Sequence, residues 1–409
     1  MIERLKFIHL ANSASTNIGN GALIYGTERV IAEDFPVEIE WTHEPWDDYT
    51  FDRRVFDRSF VDRVNSEFDG LIVGGAVAIH GREYLRNAGM RFDLPLDLWP
   101  EIKKPVVFYG LSYRHWSYQP FHHLDKLRQA VRYAVDQPSM LFAVRNDGTK
   151  EWLEKMIGFS SEKIQKLPDP GLYVPHNKNS DYPEILKDRS NIILAFNNED
   201  AIYRYGGRRR EVISRSLGRI LHEKTILRLA SSWSGVNDRR SRVIDAFVEV
   251  MEAIAGERDV NIILVPHYFD DFRMVADYSE RVKPQVSHQN SISTGLQRIN
   301  ATEEFYGLYS NVDLAVSMRV HSMSPSIGVG VPMVPIITQD RMWDFLDEVG
   351  LADIGIDAFS RDLAAQMYHR MTALLRDGTP LRERFKSVRK SCREESRSFH
   401  MQMAKLFGV

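Results

Sequence analysis

The sequence predicts an α/β fold of two Rossmann-like, doubly wound domains facing each other across a cleft, and three observations predict it. Short β-type runs alternate with helix-type segments along the chain, the pattern of a parallel sheet covered on both faces. At 409 residues the chain exceeds one ordinary core and suits two domains. The alternation breaks once, at Pro168-Asp-Pro170 and the polar run 176–183, and then restarts.

The first half offers strands over 5–10, 37–41, 70–73, 105–111 and 141–144, with helices over 22–33, 51–66, 121–135 and 148–156. After the break come strands over 191–196, 225–229, 261–265, 312–316 and 333–337, and helices over 209–222 and 242–254. The last segment, 381–407, is helical and rich in both charge signs. The expected domains are therefore 1–175 and 189–375, with a C-terminal helix within 376–409 that docks on the N-terminal domain or on a partner. No short repeat or low-complexity tract interrupts them.

Composition excludes several classes. A formal charge of −3 leaves no global basic field for nucleic acid. Cys392 is the single cysteine, so neither an intrachain disulfide nor a cysteine metal cluster can form. The first ten residues lack the apolar run of a signal peptide, and no segment has the apolar length of a membrane helix. The expectation is a cytoplasmic protein, with peripheral association at the inner membrane face and the oligomeric state left open.

Five places carry candidate chemistry. In Ser317-Met-Arg-Val-His-Ser322, closed by Gly328-Val-Gly-Val-Pro332, Arg319 and His321 follow a buried strand and precede a helix. Ligands sit outside the carboxyl ends of strands in open α/β sheets, and an Arg and a His there suit a doubly charged anion. Satisfaction of a loop is an equal alternative. Asn17-Ile-Gly19-Asn-Gly21 lets backbone N–H groups approach a ligand, or is a plain turn. Gly74-Gly75 ends a strand ahead of His80-Gly-Arg82, for a ligand or for packing. Arg145 ends another strand, as an anion contact or a surface salt bridge. In Pro266-His-Tyr-Phe-Asp-Asp271, His267 and the carboxylates suit a polar substrate or acid/base work, with helix capping by Asp270 or Asp271 as the alternative. The arginine-rich run 204–210 looks like a nucleic-acid loop or a solvated helix start, with the near-neutral charge against the former, and fits an anionic ligand or a lipid head group as well.

In order along the chain, these pieces resemble the polysaccharide pyruvyl transferase family, whose members transfer the enolpyruvyl group of phosphoenolpyruvate to a sugar. Arg319-Val-His321 with Gly330-Val-Pro332 is similar to the family's R-x-H stretch and the G-[VI]-P turn after it. Asn17-Ile-Gly-Asn20 resembles the N-x-G-[ND] loop, and Leu71-Ile-Val-Gly-Gly75 the apolar strand ending in glycines. Phe142-Ala-Val-Arg-Asn146 is similar to the strand ending in a ligand-facing Arg. Arg341-Met-Trp-Asp-Phe-Leu-Asp-Glu-Val-Gly-Leu351 is similar to the K-V-x-x-F-L-x-x-[LV]-G-L run.

The resemblance implies a GT-B-like fold with the active site in the interdomain cleft, phosphoenolpyruvate as donor substrate, and no other cofactor and no metal. It implies that Arg319 and Arg145 neutralise the donor, with Ser322, Arg341, Asn17 and Gly19 beside them. His321 becomes the general acid, or only a phosphate contact. Acceptor contacts would come from His80, Arg82, His115, Trp116, His267 and Asp271. Tyr113, with His115 and Trp116, would stack on a pyranose or serve ordinary packing. The expected partners are phosphoenolpyruvate and a hexose-containing glycan or its lipid-linked precursor. Two departures stand out: Arg341 replaces a frequent Lys, and Gly74-Gly75-Ala76 replaces three glycines. A GT-B glycosyltransferase using a nucleotide sugar, and a non-catalytic binder of an anion, remain alternatives.

Overall fold

The computed structural model describes residues 4–13, 17–116, 119–177, 181–206, 235–283, 289–291 and 302–409. The helix expected over 209–222 and the strand expected over 225–229 lie outside the described residues. The chain divides into two compact units. Unit 1 comprises Met1–Ser13, Ala22–Tyr173 and Lys390–Val409; unit 2 comprises Ala14–Gly21 and Val174–Arg389. Assignment of the Asn17 loop to unit 2 differs from the simple N-terminal domain read from the sequence. The reason is local pairing: the Ile18 N–H donates to the His267 carbonyl at 3.1 Å, and Asn17 forms an isolated antiparallel bridge with Tyr268.

Unit 1 is built on strands β1 (Arg4–Ala11), β2 (Glu38–Pro45), β3 (Gly70–Gly74), β4 (Val77–His80), β5 (Val106–Arg114), β6 (Met140–Arg145) and β7 (Ile164–Leu167). They pair in the order β2-β1-β3-β5-β6-β7, with β4 on β5, and every pairing is parallel. Strand side chains alternate between two faces. Ile8, Leu71, Val73 and Phe108 enter one core cluster. Phe7, Ile72, Val107 and Tyr109 enter another, closed by Phe399, Met403 and Phe407 of the helix Thr379–Phe407. Gly70 permits this closure, because a Cβ there would lie 2.2 Å from the Phe407 ring. Polar ties reinforce the apolar ones. His400 donates from Nδ1 to Asp34 at 2.6 Å and accepts the Tyr109 hydroxyl on Nε2 at 2.9 Å. Burial lowers the His400 pKa against the pull of Asp34, which fits this neutral tautomer.

The helix expected over 51–66 begins only at Arg58. Asp57 stops it there by taking the Phe60 N–H on its side chain at 3.2 Å, an N-cap. Strands β4 and β7, four residues each, escaped the sequence reading.

Unit 2 carries β8 (Ser190–Ala195), β9 (Val260–Leu264), β10 (Gln289–Ser291), β11 (Leu314–Ser317), β12 (Met333–Ile337) and β13 (Ile356–Asp357). Among the described residues these form a sheet in the order β10-β9-β8-β11-β12-β13, again parallel throughout. Strands β8, β9, β11 and β12 run into Asn197–Glu199, His267–Asp271, Arg319–His321 and Thr338 at one carboxyl edge, where such sheets bind ligands. No helix among the described residues is long and apolar enough to cross a membrane.

Candidate active site

Every residue of β11 is buried, and the chain leaves it through Met318 and Arg319 into the helix Val320–Val329. Arg319 is extended at the N-cap, with φ −142° and ψ 144°. Its carbonyl opens the helix by accepting the N–H groups of Ser322 (3.1 Å) and Met323 (3.0 Å). Pro325 lies inside this helix and has no N–H, so the carbonyl of His321, four residues back, loses its helical partner. The Tyr306 hydroxyl, from the helix Thr302–Tyr309, donates to that carbonyl at 2.8 Å. The turn that presents His321 is thus held from outside its own helix.

Arg319 is 6% exposed. Its Nη2 donates to Asp271 Oδ1 at 2.6 Å and its Nη1 to Glu199 Oε2 at 2.9 Å. Asp271 is fully buried. Besides Arg319 it accepts the Asn198 N–H at 3.0 Å, the His267 N–H at 3.1 Å and the Tyr268 N–H at 2.9 Å. Burial works against the Arg319 cation, but Asp271 and Glu199 outweigh it and hold its pKa above the ordinary value. Arg319 Nε is buried with no hydrogen-bond partner among the described residues. A second guanidinium, Arg204, donates to the Glu199 carbonyl at 3.2 Å and to the Thr338 hydroxyl. Burial, and the like charge of Arg319, draw its pKa down to about 10.

The Asn17 loop completes this edge. Asn17 Oδ1 accepts the Gly19 N–H at 2.9 Å, closing a tight turn of the kind Asn favours. A Cβ on residue 19 would lie 2.6 Å from His321 Cβ and 2.7 Å from its Nδ1. Glycine at 19 therefore gives the half-buried His321 ring its place.

Behind this surface runs a chain of hydroxyls. Ser317 Oγ and Ser322 Oγ are 2.8 Å apart, Ser322 Oγ and Tyr309 OH 3.1 Å, and Tyr309 OH and His267 Nε2 2.8 Å. All four residues are fully buried. Three sequence expectations change here. Ser322 is an interior hydroxyl rather than a group presented to a donor. His267 and Asp271 sit in the interior of unit 2 rather than on an acceptor-facing surface. Asp271 also accepts the Tyr268 N–H in a capping box of the short turn Phe269–Asp271; at the N-cap of the following helix, Phe272–Arg281, its side chain makes no cap bond, so the helix-capping alternative is not met there.

The sequence matches the family model for polysaccharide pyruvyl transferase over residues 17–340, well over half of the chain. The chain belongs to the polysaccharide pyruvyl transferase family. No curated protein matches it. Among solved structures, it is similar to a Listeria monocytogenes protein assigned as a UDP-N-acetylglucosamine 2-epimerase. That match has a TM-score of 0.51 and 12% identity, over 95% of this chain and 91% of the other. It is also similar to OtsA in its apo form, at a TM-score of 0.50 and 11% identity, over 98% and 99% of the two chains. At such identities these likenesses speak for the fold alone, which is the GT-B-like class with two Rossmann-like domains.

The structure gathers Asn17, Gly19, His267, Asp271, Arg319, His321 and Ser322 in unit 2 of this pyruvyl transferase family member. Arg341, one residue beyond the family match, is half-buried in the first turn of the helix Asp340–Glu348. The remaining expected site residues belong to unit 1. Arg145 is fully buried and paired with Asp147 and Asp169, not in a surface salt bridge. His80 is 6% exposed and accepts Arg91 Nε–H on Nε2 at 3.2 Å. Burial, then Arg91, Arg114 and Arg82, hold its pKa well below the usual histidine value. Arg82 lies half-buried two residues on. Tyr113 stacks on Trp152 at 4.4 Å, the packing alternative for that ring. His115 and the Gln119 carbonyl lie 2.8 Å apart, and the Trp116 N–H donates to the Gln119 side chain at 3.1 Å. Sequence reasoning missed Glu199, Thr338, Tyr306 and Tyr309. Glu199 and Thr338 carried a signal, since each lies just past a strand's carboxyl end; the two tyrosines carried none.

Proposed function

We propose that the chain transfers the enolpyruvyl group of phosphoenolpyruvate to a hexose of a glycan or its precursor, forming a cyclic pyruvate ketal. Family membership and one observation support this reading. Arg319, clamped by two carboxylates, stands two residues before a His321 seated on Gly19. Arg319, with Arg204 beside it, supplies fixed positive charge for a carboxylate and a phosphate, and guanidinium forks match both. Asp271 and Glu199 orient that charge before any ligand arrives.

His321 delivers a proton to the methylene carbon of the enol while a sugar hydroxyl adds to the neighbouring carbon. The methylene becomes a methyl group. Phosphate then departs with the C–O bond pair and a second sugar hydroxyl attacks the same carbon. Of the two hydroxyl protons, the first replaces the one His321 gave up and the second leaves on the phosphate. The products are the ketal and inorganic phosphate. Arg341 belongs to the donor site in this scheme. Arg82, His115 and Trp116 of unit 1 contribute to acceptor recognition.

The test is thermal stabilisation by phosphoenolpyruvate beside a panel of nucleotide sugars at equal concentration, since specific binding to the native state raises the melting temperature by mass action. A rise with phosphoenolpyruvate is expected, together with phosphate release when hexosides are added. His321→Ala should keep the rise and lose phosphate release. A rise with nucleotide sugars only would overturn the reading in favour of glycosyl transfer.

A further inference from the structure

His267 has a place in unit 2 that substrate contact does not explain. It follows β9, is fully buried, and is boxed by aromatic rings: Phe305 at 5.0 Å, Tyr309 at 6.0 Å and Tyr306 at 6.3 Å between centroids. Its Nδ1 is buried with no hydrogen-bond partner among the described residues. A polar ring in so apolar a box costs stability unless its bonds do something. Its bonds point in two directions. The backbone N–H holds Asp271, which holds Arg319. The ring meets Tyr309, which meets Ser322, the residue after His321.

The helix Thr302–Tyr309 gives the second path its leverage. One turn of it carries Tyr306, bonded to the His321 carbonyl that Pro325 leaves open. The next carries Tyr309, bonded to the Ser322 side chain and to His267. Two adjacent residues of the presenting turn are therefore pinned by two tyrosines, and the second tyrosine is fixed by His267.

We infer that His267 is a positioning residue for His321, acting through Tyr309 and Ser322. This rests on the pyruvyl-transfer reading for its consequence but not for its geometry. Burial, with Arg319 nearby, pushes the His267 pKa well down, so the ring is neutral and offers one acceptor and one donor. The side chain and the backbone have separable roles. Substitution by any residue but proline keeps the backbone N–H on Asp271, so Arg319 and donor affinity should survive; only the ring path to His321 is cut.

The experiment compares wild type, His267→Leu, His267→Gln and Tyr309→Phe. Phosphoenolpyruvate affinity is measured by calorimetry. The His321 ring signals are followed in histidine-labelled protein and assigned by their loss in His321→Ala. His267→Leu and Tyr309→Phe should displace or broaden the His321 signals while affinity stays within about threefold. With any hexoside the wild type accepts, turnover should fall on the order of 10- to 100-fold, the usual cost of a slightly misplaced catalytic group. His267→Gln, which can still reach Tyr309, should restore much of the wild-type spectrum. His321 signals unchanged in Tyr309→Phe, which removes only one hydroxyl, would overturn the inference. So would parallel loss of affinity in both variants, the mark of a merely structural role. If the wild type fails to bind phosphoenolpyruvate, the donor reading falls, yet the His321 spectra still decide the positioning role.

Discussion

Two arginines in this molecule share a description and differ in kind. Arg145 ends β6 in unit 1 and Arg319 follows β11 in unit 2; each is buried, and each is held by two carboxylates. Around Arg145 both counter-ions are fully buried. Asp147 also takes the Ser112 hydroxyl at 2.7 Å and that of Thr149, and Asp169 takes the Gly171 N–H at 2.8 Å. That is a closed cluster of charge. Around Arg319 only Asp271 is sealed; the Glu199 side chain is 21% exposed. The burial of the counter-ions, not the position of the arginine at a strand end, separates scaffold from candidate site.

Matching substitutions should pull these two apart more than any other change. Arg319→Ala should remove detectable phosphoenolpyruvate binding and turnover. Arg145→Ala leaves two buried carboxylates uncompensated, which costs about 3–5 kcal/mol; a marked fall in the urea midpoint is expected, with affinity near wild type in the protein that remains folded. A wild-type midpoint together with lost donor affinity in Arg145→Ala would return Arg145 to the donor site and dissolve the contrast.

The same contrast explains what the sequence could reveal. Strand β12 appears at 333–337 as expected, because a run of apolar residues between turn signals is a local property. Arg319 and His321 were legible because they stand two residues apart in one motif. Their partners were not. Glu199 lies 120 residues from Arg319 and Asp271 lies 48, and only the sheet order brings them together. Asp169, one of the two carboxylates that seal Arg145, sat in a Pro-Asp-Pro stretch that read as the edge of a linker. Strands β10 and β13, three and two residues long, carry too little pattern to be read at all.

Gly19 offers a finer cut, confined to unit 2. Gly19→Ala places a methyl group within 2.7 Å of two His321 atoms, so the ring must move while Arg319 and its carboxylates stay. We expect turnover to fall on the order of 10- to 100-fold, with the phosphoenolpyruvate-induced rise in melting temperature largely kept. Equal loss of both would mean that the Asn17 loop shapes donor binding itself.

Acid should weaken both units by the same sign. His43 in unit 1 is lowered to about 4, first by burial and then by His9. His400 in unit 1 and His267 in unit 2 are also lowered from 6.5, burial leading. A histidine whose folded pKa is depressed contributes stability that is present above its unfolded pKa and lost as pH falls below it. The melting temperature should therefore be level above pH 7 and decline from pH 6.5 towards 4. A rise over that interval would contradict neutral histidines in both units.

Glu199 should give the smallest effect and the closest reading of what makes the Arg319 site different. Because the Glu199 side chain is partly exposed, its pair with Arg319 is worth about 1 kcal/mol or less, and Glu199→Gln should hardly move the melting temperature. Its charge, however, occupies the same guanidinium that an incoming carboxylate or phosphate needs. Neutralising it leaves Asp271 to orient Arg319 and removes a competitor, so phosphoenolpyruvate should bind several-fold tighter, in line with the roughly 1 kcal/mol of such a partly exposed pair. Weaker binding in calorimetry would show instead that Glu199 aligns the fork, and the open side of the Arg319 cluster would then be part of its frame, as Asp147 and Asp169 are for Arg145.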